Sequence, residues 1–219
     1  MVSYDIDDMR VQDFIASLHR YDDDLDDLRK YAIDNDVPII RDETRDFLNF
    51  LLKIERPRKI LELGTAIAYS TLVIYKALDG NLDKIVTVEN YEPRIIDAKK
   101  NIDKFFDKGK VELIEKDITE YLDNIDEKDK YDFIFLDAAK AQYIAWLPKL
   151  KKLMKKGSVL LADNIFKDGE VLESRYAIIK RDRTIHKRMR EFLHEITSDT
   201  ELDTTILNIG DGISVSIKK

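Results

Sequence analysis

Two kinds of hydrophobic spacing divide the chain. Up to about residue 56, apolar residues recur every three or four positions: Val11, Phe14, Ile15 and Leu18, then Leu25, Leu28 and Ala32, then Phe47, Leu48, Phe50, Leu51 and Leu52. That is helical spacing. Val37-Pro38-Ile39-Ile40 interrupts it, because Pro38 disfavours helix at the residue before it. Past Pro57, short apolar runs at 59–63, 85–88, 111–114, 131–136 and 158–162 alternate with helical stretches at about 69–78, 93–106, 118–125 and 140–154. A basic helix follows at about 183–197. Two closing strands, near 203–208 and 213–217, are joined by Ile209-Gly210-Asp211-Gly212. Strands alternating with helices predict a mostly parallel sheet covered on both faces, and the final pair predicts an antiparallel edge. The expected organisation is one domain over 1–219, with a helical segment over 1–56 and an α/β core over 57–219.

Composition narrows the chemistry. There are no cysteines, which excludes disulfides, Cys-based zinc sites, iron–sulfur clusters and a Cys nucleophile. No apolar run approaches the ~20 residues that cross a bilayer, and the first residues carry no secretion signal. A cytoplasmic location is expected. The net charge of −7 is uneven: residues 1–36 hold eleven Asp against four Lys/Arg, so the other residues sum to zero. The low pI therefore leaves room for a local basic footprint.

In a doubly wound sheet, ligands bind beyond the carboxyl ends of the strands. There the first run leads into Gly64-Thr65-Ala66-Ile67-Ala68-Tyr69-Ser70, the second into Glu89-Asn90, the third into Asp117-Ile118, the fourth into Asp137-Ala138-Ala139-Lys140 and the fifth into Asp163-Asn164. A loop with a single glycine is not the Gly-x-Gly-x-x-Gly of dinucleotide folds, and no Gly-Lys-Ser/Thr phosphate loop occurs. A carboxylate at the second strand end suits a ribose. Together these features favour S-adenosylmethionine, a nucleoside with an amino-acid tail. The plain alternative is a turn glycine and a surface acid. If the fourth and fifth strands are neighbours, Asp137, Asp163 and Asn164 converge as three oxygen donors, a set for Mg²⁺ or else Mn²⁺ or Ca²⁺. The alternative is that the two aspartates cap the segments that follow. Lys140, three residues after Asp137, projects over the same place; beside a metal its pKa falls and it becomes a general base.

These residues resemble the metal-dependent, catechol-type O-methyltransferases that use S-adenosylmethionine. Residues 60–70 are similar to that family's first motif, with Ala68 where glycine is usual. Residues 135–140 are similar to its metal and base motif, 161–164 to its second metal motif, and 209–212 to its closing hairpin. The likeness runs from about Val37 to the C-terminus. It implies a Rossmann-like class I methyltransferase fold of seven strands. It also implies that Glu62, Gly64 and Ser70 hold the methionine end of the cofactor and Glu89 its ribose. Asp117 and Ile118 would flank the adenine and Val37 line the pocket. Asp137, Asp163 and Asn164 would hold the metal, with Lys140 as the catalytic base beside Asp137. A homodimer is implied as well. Within the family, the chain resembles the bacterial tRNA 5-hydroxyuridine methyltransferases.

The metal chemistry alone does not choose the acceptor, because a catechol and 5-hydroxyuridine both offer two neighbouring oxygens. Residues 175–190 hold seven Lys/Arg against one Asp, including Arg175, Arg181, Arg183, Lys187 and Arg188, and residues 149–156 hold five lysines. A nucleic-acid backbone uses such charge, and a wobble base sits in a loop from which it can be splayed into a pocket. The reading is therefore an O-methyltransferase acting on the tRNA anticodon loop, with no DNA or membrane partner. Two rivals stand beside it: an O-methyltransferase of catechol-like small molecules, and a cofactor-binding module without catalysis. Trp146 is read as core or subunit interface.

Overall fold

The computed structural model describes residues 14, 15, 17, 18, 22–78 and 80–219. The helix expected around Val11 to Leu18, with His19, lies mostly outside them. The first complete element is α1 (Asp23–Asp34). It is capped by Asp22, whose Oδ1 accepts from the backbone N–H groups of Asp24 and Leu25. The acidic cluster thus sits at a helix N-terminus, where the backbone dipole favours negative charge. After Pro38 comes α2 (Asp42–Glu55), which buries Leu48 and Leu52 and leaves Phe50 exposed.

The core then alternates: β1 (Lys59–Leu63), α3 (Tyr69–Leu78), β2 (Lys84–Glu89), α4 (Glu92–Phe105), β3 (Val111–Glu115), α5 (Ile118–Asn124), β4 (Tyr131–Leu136), α6 (Tyr143–Leu153), β5 (Met154–Ala162), α7 (Arg183–Ser198), β6 (Leu202–Leu207) and β7 (Ile213–Lys218). The seven strands lie in the order β3-β2-β1-β4-β5-β7-β6. The first five pair in parallel, and β7 runs antiparallel to both β5 and β6. Strand side chains alternate between two cores. Leu61, Ile134 and Leu160 face Trp146, Leu150 and Phe192 of α6 and α7, while Ile60, Phe133 and Val159 face Leu48 and Leu52 of α2 and Leu72 of α3. Because both faces are covered, the strands read as unbroken apolar runs.

Two boundaries differ from the sequence reading. Lys140 to Gln142 form a separate 3₁₀ turn ahead of α6, and β5 starts at Met154, four residues before its apolar part. Residues 155–157 are exposed, so this stretch of strand has no hydrophobic signature. The order of strands reverses between β1 and β4, which places a crevice at their carboxyl ends.

Candidate functional site

A cavity of about 700 Å³ occupies that crevice. On one side the loop after β1 runs close to the tip of β4. The Gly64 N–H donates to the Val88 carbonyl (3.1 Å), and the Asp137 N–H donates to the Leu63 carbonyl (3.0 Å). Gly64 has φ +104°, and a Cβ there would lie 2.0 Å from the Asp137 carbonyl oxygen. Only glycine permits this approach, which couples the β1 and β4 loops.

The acids on this side are held by donors of their own chain. Glu89 Oε2 accepts from the Ala66 N–H (2.9 Å), and Oε1 accepts from Asn90 and Tyr91 N–H (2.9 and 3.0 Å). Glu62 is fully buried and accepts from the hydroxyls of Ser70 (2.6 Å), Thr71 (2.5 Å) and Thr87 (2.7 Å). Burial pushes its carboxyl up to about 7 despite these hydroxyls. Asp117 Oδ1 caps α5 through Thr119 and Glu120 N–H.

The other side is different in kind. β4 and β5 pair through Leu136 and Ala162, so Asp137 and Asp163 leave adjacent strand tips. Asp163 Oδ1 accepts from Thr44 Oγ1 (3.2 Å) and from the Asn164 N–H (2.8 Å). Asn164 adopts φ +53°, a conformation asparagine tolerates. One end of its carboxamide lies 3.2 Å from Asp137 Oδ1 and 3.1 Å from Asp163 Oδ2. With nitrogen there, the amide donates to both carboxylates; with oxygen there, three oxygen donors converge. Burial, reinforced by the neighbouring Asp137, pushes the Asp163 carboxyl up to about 7. Among the described residues no group of three or more His, Asp or Glu is placed to hold a metal; this cluster has two carboxylates and one carboxamide. Neither aspartate caps a following helix.

Lys140 Nζ donates to Asp137 Oδ1 (2.7 Å) and to the hydroxyl of Tyr143 (3.1 Å). Burial disfavours its ammonium, but Tyr143 and Asp137 outweigh burial and raise the pKa. Without a cation the lysine is thus held protonated, opposite to the depressed lysine expected beside a metal. Tyr143 is fully buried, and burial pushes its phenol up to about 12.

Of the residues singled out in the sequence, Gly64, Ser70, Glu89, Asp117, Ile118, Asp137, Lys140 and Asn164 border the cavity. Asp163 lies fully buried beneath it. Val37 and Glu62 do not border it. Val37 turns into the core and the next three residues line the wall instead, while Glu62 stands behind Ser70. Trp146 belongs to the core yet also reaches the cavity, its Nε1 donating to Thr119 Oγ1 (3.1 Å). Thr44 was not foreseen; a threonine in the first turn of a helix gives no sequence signal that it will meet a strand tip 119 residues away.

The two basic regions also separate. Lys149, Lys151, Lys152 and Lys155 each face a carboxylate on a neighbouring element, namely Asp123, Asp199, Glu127 and Asp132, so this cluster is largely neutralised. Arg175, Arg183, Lys187 and Arg188 instead line a second cavity of about 300 Å³, with Arg181 outside it beside Asp182.

Residues 16–219 match the O-methyltransferase family. The chain is 30% identical over 181 residues to the catechol O-methyltransferase of Niastella koreensis, covering 79% of each. It is 32% identical over 180 residues to caffeoyl-CoA O-methyltransferase 1 of Arabidopsis thaliana, covering 77% of this chain and 67% of that one. A solved O-methyltransferase from Bacillus cereus, in complex with SAH, superposes with a TM-score of 0.82 at 25% identity, over 96% of this chain and 97% of that one. With the seven-stranded sheet and its crevice, these matches show that the chain belongs to the O-methyltransferase family.

Proposed function

We propose that the protein transfers a methyl group from S-adenosylmethionine to one of two neighbouring oxygens on an acceptor, aided by a divalent cation. The proposed acceptor is 5-hydroxyuridine at the tRNA wobble position, giving 5-methoxyuridine. The observation that carries the chemistry is the convergence of Asp137, Asp163 and Asn164 at 3.1–3.2 Å beside Lys140. Ligands about 2.0–2.1 Å from Mg²⁺ in an octahedron stand about 3 Å apart, close to the two separations of the carboxamide from the carboxylates. A cation held there would supply the charge that acidifies a hydroxyl.

S-adenosylmethionine supplies the methyl group as a sulfonium. The Gly64 loop and Ser70 would hold its methionine end. Glu89 keeps lone pairs free for a ribose, since its three backbone donors leave part of its acceptor capacity unused. Ile118 offers an apolar wall for a base. Lys140 Nζ is the group placed to take the acceptor's proton. It can do so only when neutral, so the charge of Asp137 must first be engaged elsewhere. Holding donor and acceptor in one crevice supplies much of the rate through orientation.

The RNA assignment is supported by the cations of residues 175–190, which lie beside the 140–142 turn: an Arg188 guanidinium N–H donates to the Ala141 carbonyl (3.1 Å). A second reading, methylation of catechol-like small molecules, is favoured by the similarity to the Niastella enzyme. Incubation of the protein with Mg²⁺, cofactor and tRNA bearing 5-hydroxyuridine, followed by nucleoside mass spectrometry, decides between them. We expect 5-methoxyuridine, abolished by chelator. Methylated catechol with untouched tRNA would replace the first reading by the second. We further propose a cytoplasmic homodimer, for which light scattering in solution is the test. Among the described residues no helix is long and apolar enough to cross a membrane.

A further inference from the structure

Tyr143 is the first residue of α6 and directly follows the 140–142 turn. Side chains three residues apart in a 3₁₀ turn eclipse one another, so Tyr143 falls beside Lys140. Its ring is fixed by the core. It is fully buried and meets Phe192 of α7 edge-on, with centroids 5.4 Å apart. This rigid ring carries one hydroxyl to the junction of the β4 and β5 tips. The hydroxyl accepts from the Ala138 N–H (3.1 Å) and from Lys140 Nζ (3.1 Å), and it donates to the Leu136 carbonyl (3.2 Å). The Asp163 carbonyl lies 3.5 Å away. A phenol offers one proton and two lone pairs, and here all three are engaged.

Two of these partners flank Asp137 in the chain, so the hydroxyl clasps the backbone on both sides of that residue. The third partner is the lysine nitrogen. Besides its bond to carbon, a tetrahedral Nζ has three positions. Asp137 Oδ1 (2.7 Å) and the Tyr143 oxygen take two of them. Lys140 borders the crevice, so the third position is the one left for the crevice. On an ammonium that position is an N–H; on a neutral amine it is the lone pair. With Asp137 alone as a partner, a long and flexible side chain could swing the nitrogen about a single contact. The second contact, anchored in the core, removes that freedom.

The geometry points to Tyr143 as a positioning residue for methyl transfer: its hydroxyl holds the Lys140 nitrogen with its one free position turned to the acceptor. The inference rests on the methyltransferase reading above, in which Lys140 takes the acceptor's proton, and it deepens that reading. Proton transfer needs the lone pair aligned with the departing proton, and a small misplacement of a catalytic group is costly. A tyrosine serving only the two backbone groups would behave differently. Its truncation would lower stability, and would change turnover by the same factor whether or not Lys140 were present.

The test is a double-mutant cycle on the full chain with Tyr143→Phe and Lys140→Met. It is assayed with Mg²⁺, S-adenosylmethionine and tRNA bearing 5-hydroxyuridine, or catechol should that prove the acceptor. Lys140→Met should lower kcat by about 10²–10⁴-fold, the usual worth of a general base. Tyr143→Phe should lower kcat by roughly tenfold to a hundredfold and leave KM for both substrates unchanged. Added to Lys140→Met, it should lower kcat no further. An equal loss in both backgrounds, or a raised KM with kcat intact, overturns the proposal. If Lys140→Met is slow and Tyr143→Phe is as fast as the parent, the base reading stands and the positioning role falls. If Lys140→Met is as fast as the parent, the base reading falls and takes the positioning role with it. A second measurement needs no acceptor. In metal-free protein with ¹⁵N-labelled lysine, the Lys140 ammonium is identified by the signal missing from Lys140→Met. Its protons should exchange with water faster in Tyr143→Phe, because one of their two partners is gone; an unchanged exchange rate shows that the hydroxyl does not hold the nitrogen.

Discussion

The two sides of the main crevice use carboxylates in opposite ways. On the β1–β2 side, Glu62 and Glu89 are each surrounded by protein donors: three hydroxyls for one and three backbone N–H groups for the other. On the β4–β5 side, Asp163 Oδ2 and Asp137 Oδ1 face one carboxamide, and the protein supplies Lys140 as the only cation among the described residues in contact with either. A carboxylate held by several donors of its own chain has its position fixed from within. A pair of carboxylates left facing each other at low accessibility is costly unless something outside the chain completes it. Burial alone does not separate the two cases, since Glu62 and Asp163 are equally inaccessible. The identity of the partners does.

The comparison breaks most visibly at Asp163. Asp163→Asn keeps the shape and can still accept from Thr44 and from the Asn164 N–H, but removes the charge. If the β4–β5 side is a cation site, methyl transfer should fall by several kcal/mol of transition-state stabilisation, roughly a thousandfold. The fold should gain, because a buried unpaired charge is gone, with a melting temperature measured without added metal higher by roughly 2–4 °C. Unchanged turnover in the variant would make Asp163 a structural acid like Glu62.

Glu62→Gln sharpens the contrast from the other side. Gln replaces one acceptor oxygen by an N–H₂ that three hydroxyls must turn to meet. We expect a loss of about 1–3 kcal/mol in stability and weaker cofactor binding through Ser70, with smaller change in the rate of bound complex. The pH dependence carries the signature. Burial holds the Glu62 carboxyl at about 7, above its ordinary 4.5. The folded state then binds more protons than the unfolded one across that window. Its contribution to stability is present below pH 4.5 and fades as pH rises towards 7. Denaturant unfolding between pH 4.5 and 7 should show a shallower fall in Glu62→Gln than in the parent. Parallel curves would show that Glu62 does not titrate there.

Much of this contrast was legible in the sequence. The strand tips could be read because each strand is an apolar run ending in one or two polar residues, and sheet order then brings Asp137 and Asp163 together. Glu62 was assigned to the cofactor by the resemblance of residues 60–70 to the family's first motif; in the structure it is buried and meets Ser70, which borders the crevice. Val37, also implied by the resemblance, is buried in the core, while residues 38–40 reach the wall, because Pro38 marks a break without marking which side of it lines the crevice. The basic residues at 149–156 looked equivalent to those at 175–190, and only tertiary placement reveals their carboxylate partners. The spacing of Lys140 from Asp137 brings the two into contact, whereas the lysine's protonation depends on a contact with Tyr143 that one helical turn of sequence does not announce.

The smallest effect belongs to the β1 loop, at Ala68. Ala68 is fully buried and sits at φ +68°, in the left-handed region. Its N–H donates to the Thr65 carbonyl (2.8 Å), and its carbonyl accepts from the Leu72 N–H (3.0 Å). This conformation costs an L-residue about 1–2 kcal/mol. Ala68→Gly removes that cost, but loses about 0.5–1 kcal/mol to the freer unfolded chain and about 0.8 kcal/mol for one buried methyl. The contributions nearly cancel, so stability in urea should move by less than about 1 kcal/mol, with cofactor affinity preserved. Ala68→Val adds a β-branched side chain that resists positive φ, at a fully buried position, and should cost more than about 2 kcal/mol. The pair separates backbone from packing: if glycine proves as damaging as valine, the methyl contact governs this loop, and the left-handed turn is merely tolerated around it.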